Sequence, residues 1–215
     1  MRLSLDAKAA VKIGAFSRRG KNRVKIEACD HDFSSSPQLT PYGILLPELE
    51  ELFIYFTTSK VTSDFIVDVL EAWWEKNCHR FKYIQTLLLN QDNGPENHSR
   101  RTQFMKRIVE FARKYQLNLR LAYYPPYHSK YNPIERTWGV LENHWNGSLL
   151  DEISTALNFA QTMKWKGSFP IVELVTQTYQ TGAKLTKLEM EKVENQIYRL
   201  PELGKWFVDI FYNSV

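Results

Sequence analysis

The stretch YIQTLLLNQDNGPEN, residues 83–97, decides the reading of the fold. Tyr83 to Asn90 is an apolar run without polar alternation, as a central strand covered on both faces requires, and Asp92-Asn93-Gly94-Pro95 stops it. Asp92 is therefore expected just beyond the C-terminal end of a buried strand. A second stretch, PPYHSKYNPIER at 125–136, sets up a helix. Pro125-Pro126 excludes helix, Asn132-Pro133 supplies an N-cap followed by proline at the first helical position, and Ile134, Trp138, Leu141 and Trp145 recur at helical spacing. Glu135 falls in the first turn, one residue from that apolar stripe, so it leans toward a sheet on which the helix packs. Each acid has a plain structural reading as well, Asp92 as a turn residue and Glu135 as a helix cap. Together they form two thirds of an acidic phosphoryl-transfer site.

Working outward, Leu3 to Ile13 reads as a strand, Ser17 to Lys25 as a basic loop, and Tyr42 to Leu46 and Leu52 to Thr57 as further strands. Ser63 is placed to cap a helix running to about Asn77, and Ser99 to Tyr115 is a second helix with Phe104, Ile108, Phe111 and Tyr115 inward. Leu117 to Tyr123 alternates as a last strand before the Glu135 helix. The order strand, strand, strand, helix, strand, helix, strand, helix predicts an α/β domain with a mixed sheet. After Asn146-Gly147 the chain reads as helical: Asp151 to Lys164, Ile171 to Tyr179, and a capping box of Thr186 with Glu189. This predicts a domain over 1–147 and a C-terminal helical appendage over 148–215.

The 215 residues, 43% of them hydrophobic, suffice for one substantial core. No apolar run is long enough to span a bilayer, and Met1-Arg2 leads into a strand without a signal-peptide segment, so a cytoplasmic protein is expected. Cys29 and Cys78 lack partners at zinc-site spacing and read as free thiols. The net charge of +4 is unevenly distributed. Residues 1–25 carry eight Lys/Arg against Asp6 alone, residues 26–75 carry ten acids against Lys60, and residues 98–136 carry nine basic residues against two acids. Any such run can be a solvated face; here two basic blocks adjoin candidate acids, which favours a polyanion, with nucleic acid the obvious one.

NQDNGPENHSRRTQFMKRIVEFA and LAYYPPYHSKYNPIERTWGVLENHWNG resemble the Rhodopirellula-type transposase DDE family, relatives of the Tc/mariner transposases. The resemblance covers almost the whole chain, including TSKVTSDFIVDVLEAWWE, MKWKG and LPELGKWFVDI. It implies a ribonuclease H-like fold, a mixed five-stranded sheet flanked by helices, with acids on the first strand, after the fourth strand and on the helix after the fifth. Asp92 and Glu135 then become the second and third catalytic acids, and Asp6, in the earliest strand, the first. Asp30 and Asp32 in CDHDF are rivals, though they fall in a link rather than on a strand.

The resemblance further implies two divalent ions, Mg²⁺ with Mn²⁺ possible, bridged by Asp6 and held individually by Asp92 and Glu135, since such ions prefer hard oxygen ligands. The implied activity is hydrolysis at the end of an insertion sequence, followed by attack of the freed 3'-hydroxyl on target DNA. DNA contacts are expected from Lys8, Lys12, Arg100, Arg101, His128, Lys130 and Arg136. Asn93 is a candidate for orienting a phosphate, and Glu142, two turns after Glu135, an alternate acid. A homodimer on DNA and nucleoid association follow from the same resemblance. The chain starts almost at the first catalytic strand, without the helix-turn-helix region such transposases generally carry. The alternative expectation is therefore a truncated remnant that binds DNA or a full-length transposase without catalysis.

Overall fold

The computed structural model describes residues 1–16, 18, 20, 27–28, 37–125, 128 and 131–213. Among these are nine strands and five α-helices. The chain divides into two compact units, one of Met1–Leu5, Lys60–Asn132 and Tyr179–Val215, the other of Asp6–Ser59 and Pro133–Thr178.

In the first unit, the N-terminal strand β1 (Arg2–Ala7) pairs in parallel with β5 (Thr86–Gln91) through Arg2 to Ser4, and β5 pairs in parallel with β6 (Asn118–Tyr123). Leu87, Leu89, Leu119 and Leu121 are buried, as expected for strands covered on both faces. The strand begins three residues later than its apolar pattern suggests, and Tyr83 is 96% exposed. Helix α1 (Ser63–Asn77) is capped by Thr62, whose side chain accepts from Phe65 N, while the expected cap Ser63 donates to Glu96 O. Phe65, Ile66, Val69, Leu70 and Trp73 form its buried face, each stabilising by about 1.5–3 kcal/mol relative to exposure. Helix α2 (Thr102–Tyr115) buries Phe104, Ile108 and Phe111 and ends at Gln116 in the left-handed region.

The basic block after Asp92 is matched by the acidic run on α1. Arg107 bonds Asp64 at 2.9 Å and Asp68 at 2.8 Å, Lys114 bonds Glu71 at 2.8 Å and Glu75 at 3.1 Å, and Arg101 pairs with Glu96 at 3.1 Å. Burial works against the Arg107 charge, but Asp68 and Asp64 outweigh it and raise its pKa. Arg120 makes a two-armed contact with Asp209 at 2.6 and 2.7 Å. Part of the charge asymmetry in sequence is therefore an α1–α2 contact, made by Arg107 and Lys114. Arg100 and Arg113 of this block are exposed.

In the second unit β3 (Gln38–Leu46) and β4 (Glu51–Thr57) form an antiparallel hairpin, with β2 (Val11–Lys12) antiparallel to β3 and β7 (Ile171–Val175) parallel to β4. Helices α3 (Glu135–Trp145) and α4 (Ile153–Thr162) complete it. Its core joins Leu45, Ile54 and Phe56 to Trp138, Leu141 and Trp145 of α3, and to Ala156 and Ala160 of α4.

Several expectations change. The strand predicted over Leu3–Ile13 is two strands, because the chain turns after Ala7, where Lys8 N bonds Pro41 O, and resumes on β3. Ile171–Tyr179 is not helical: IVELV becomes β7, since its β-branched residues find the edge of β4, and a short apolar run does not distinguish helix from strand. The segment 148–215 is not a helical appendage. Besides α4 and α5 (Lys187–Glu194) it holds β7, β8 (Ile197–Arg199) and β9 (Phe207–Ile210), giving nine strands rather than five. Strands β9 and β8 extend the sheet outward from β6 in antiparallel pairings, too short to show periodicity. The capping box of Thr186 and Glu189 is present at the start of α5.

Candidate active site

Asp92 follows directly on β5, where Gln91 is fully buried. Its Oδ1 accepts from Asn97 Nδ2 at 2.9 Å, and the same amide nitrogen lies 3.3 Å from Gln91 Oε1, so the turn is closed by side chains. Gly94 is required here. A Cβ on it would sit 2.9 Å from Asp92 Oδ2 and 3.1 Å from Asn97 Oδ1. Asn93 Oδ1 is buried in this turn without a hydrogen-bond partner. Burial pushes the Tyr123 phenol, at the end of β6, well up, with the Asp92 charge adding to the shift, so this ring stays protonated.

Asp6, on β1, accepts from Trp138 Nε1 at 2.6 Å. Trp138 lies three residues after Glu135, on the same face of α3, so this bond ties the first turn of that helix to the end of β1. Gly43 on β3 permits the approach: a Cβ there would meet Ile134 Cδ1 at 2.5 Å and Trp138 Cη2 at 2.8 Å. Glu135 is the half-buried first residue of α3, where the helix N-terminus favours a carboxylate.

Asn132 is not the N-cap of α3. The helix begins at Glu135 with Ile134 in the cap position and no side-chain cap bond. Asn132 is instead fully buried, donates to Leu5 O at 2.9 Å, and accepts from Ser4 Oγ. An amide that satisfies a strand carbonyl away from water is worth more there than at a solvated helix end. It fixes the chain three residues before Glu135 against the strand residue that precedes Asp6.

Glu142 is committed to Lys8 and to Arg18, the latter at 2.7 Å. Burial would raise its pKa, but Lys8 and then Arg18 outweigh it and hold the carboxyl below the usual range. A group with a depressed folded pKa stabilises above its unfolded pKa and loses that contribution as pH falls through the folded value. Urea unfolding of Glu142→Gln against wild type should therefore differ at pH 7, by no more than about 1 kcal/mol given the exposure of the pair. The difference should shrink as pH falls below the ordinary glutamate range and through the depressed folded value; a difference independent of pH contradicts the assignment.

Of the expected DNA contacts, Lys8 is largely covered in its pair with Glu142, and Arg101 is paired with Glu96. Lys12 is exposed, 5.7 Å over the Phe16 ring, His128 is exposed and stacked on Tyr131, and Arg100 and Arg136 are exposed. Lys130, Tyr127, Ser129, Asp30, His31 and Asp32 lie outside the described residues.

Asp6 and Glu135 stand in one compact unit and Asp92 in the other. Among the described residues, no group of three or more His, Cys, Asp or Glu is gathered closely enough to hold a metal ion. The donors nevertheless suit a hard divalent cation. All three acids offer carboxylate oxygens, Asp6 accepts from Trp138 and Asp92 from Asn97, and Asn93 contributes an uncommitted oxygen beside Asp92.

Sequence reasoning missed Asn132 as a strand anchor, Gly43, and Trp138 as the donor to Asp6. Gly43 had a signal, a lone glycine within a strand. For Trp138 the helical stripe indicated burial but not its hydrogen-bond partner.

No curated protein matches the chain. A solved structure, the Mos1 transposase paired-end complex with left transposon end, superposes with a TM-score of 0.54 at 8% identity, over 74% of this chain and 46% of the Mos1 chain. That likeness shows the fold, an α/β mixed sheet with flanking helices of the ribonuclease H-like kind found in transposase catalytic domains. The model of the Rhodopirellula transposase DDE domain matches residues 1–211, and the chain belongs to that family.

Proposed function

We propose that this chain is a DDE polynucleotidyl transferase that cuts DNA at the ends of an insertion sequence and joins the freed 3'-hydroxyl to target DNA, with Asp6, Asp92 and Glu135 as its acids. The observation that carries this reading is the pair of anchors on β1. Trp138 bonded to Asp6, and Asn132 bonded to Leu5, hold an acid-bearing strand end to an acid-bearing helix start in a chain of a DDE family. Asp92 supplies the third carboxylate from the end of β5.

Bound Mg²⁺ or Mn²⁺, held by these three carboxylates, would supply Lewis-acid activation of the attacking oxygen and neutralise charge on the leaving one. The residues of the chain perform the positioning. Trp138 and Asn97 donate to Asp6 and Asp92 and orient their carboxylates, and Gly94 leaves room for the Asp92 carboxylate over its own turn. The Mos1 structure is a complex with a transposon end, which supports DNA as the partner here. Exposed Arg100, Arg136, Lys12 and His128 are the side chains suited to phosphates, and a homodimer on DNA is part of the proposal. No helix among the described residues is long and apolar enough to cross a membrane; we place the protein in the cytoplasm, on DNA.

Nicking of a terminal-repeat plasmid in Mg²⁺ or Mn²⁺ should be lost on substituting any one of the three acids. The salt dependence of DNA binding separates solvent-facing cations from structural ones. Arg136→Ala should lower the slope of log K against log salt by about 1, whereas Lys114→Ala, whose ammonium already meets Glu71 and Glu75, should leave it unchanged. Equal slopes for both variants contradict the assignment.

A further inference from the structure

The first compact unit carries a second surface with nucleic-acid chemistry, at the end of β5 and β6 opposite Asp92. An open cleft of about 710 Å³ is floored by Gln85, Leu117 and Asn118, where those strands begin. Its walls include Phe81 and Lys82 from the turn after α1, Tyr115 from the end of α2, and Phe211 and Tyr212 after β9. Gln85 and Asp92 are separated by the length of β5, roughly 20 Å at strand rise, so the cleft and this acid are distinct.

The segment KNCHRFKY, residues 76–83, alternates Lys76, His79, Arg80 and Lys82 with the aromatic pair Phe81 and Tyr83. Of the rings that line the cleft, Phe211 is 45% and Tyr212 37% exposed, while Tyr83 lies outside it. Cations lie against ring faces, with Arg80 5.1 Å over Phe81 and Lys114 4.8 Å over Tyr115. The Lys114 charge is matched by Glu71 and Glu75, so the positive edge of the cleft is at Lys82. Asn118 Oδ1 is buried at the floor without a hydrogen-bond partner, and Gln85, Gln116 and Asn213 add further amides.

Exposed aromatic rings, a lysine at one rim and amides below match the requirements of an unpaired nucleotide strand. Its bases stack on the rings, its phosphates meet the cations, and its base edges meet the amides. A duplex presents phosphates but hides its base faces, so exposed rings beside a lysine favour an unpaired strand. We infer that this cleft binds unpaired DNA, separately from the acids.

The test uses the full chain carrying Glu135→Gln, so that no strand is cut, and a fluorescent 12-nucleotide oligothymidine beside a 12-base-pair duplex. Tyr212→Ala with Lys82→Ala should weaken oligothymidine binding about ten-fold or more while leaving the duplex affinity and the thermal midpoint unchanged. In a Cys29→Ser background, alkylation of Cys78, a free thiol lining the cleft, should slow when oligothymidine saturates the protein. Unchanged oligothymidine affinity in the double variant, or an unprotected Cys78, overturns the inference. So does a double variant that loses self-association alone, which makes the cleft an interface between copies. None of these outcomes depends on strand cleavage, so failure here is distinguishable from failure of the catalytic assignment.

Discussion

Asp92→Asn is expected to lower metal-dependent strand cleavage by on the order of 10³-fold while leaving the fold in place. The substitution keeps side-chain volume and retains an oxygen to accept from Asn97, so the turn closed by Asn97 and Gln91 can persist. What it removes is a negative charge, and a neutral amide is a much poorer ligand for a hard cation than a carboxylate. A thermal midpoint within a few degrees of wild type, together with lost cleavage, separates chemistry from folding. If the variant cleaves like wild type, Asp92 is a turn residue and the phosphoryl-transfer reading fails.

The second large effect is expected at a residue without charge. Asn132→Ala should cost about 3 kcal/mol of stability, because it leaves Leu5 O and Ser4 Oγ without this buried partner and opens a cavity where a fully buried amide stood. The loss also releases the chain three residues before Glu135, so cleavage per folded molecule should fall by about ten-fold or more, an ångström-scale misplacement being enough. Denaturant unfolding measures the first effect, and single-turnover cleavage under fully folded conditions the second. A variant as stable as wild type would mean that the Asn132 anchor contributes nothing.

These two residues also show where sequence reading succeeds and where it stops. The place of Asp92 just beyond a buried strand was legible because an apolar run ended in Asp-Asn-Gly-Pro. The place of Glu135 in the first turn of its helix was legible from the apolar stripe, yet Asn132 was misread as a cap: Asn-Pro before a helix has a strong local meaning, and only the tertiary fold reveals that β1 takes the amide instead. The basic block after Asp92 pointed to a polyanion, whereas Arg107 and Lys114 find their anions on α1, 39 to 43 residues earlier in the chain. Long-range charge matching leaves no local trace. Strands β7, β8 and β9 escaped for a related reason, since segments of three to five residues are shaped by the sheet edges they join rather than by their own pattern.

The central claim is that Asp6, Asp92 and Glu135 act together on DNA. It is tested most directly by end-labelled linear duplex bearing the element's terminal repeats, incubated with Mg²⁺ or Mn²⁺ and either wild type or Glu135→Gln. The account predicts cleavage at the repeat ends by wild type and its loss in Glu135→Gln, with both proteins folded and binding the duplex equally. Equal cleavage by both proteins, or none by either while both bind, contradicts it.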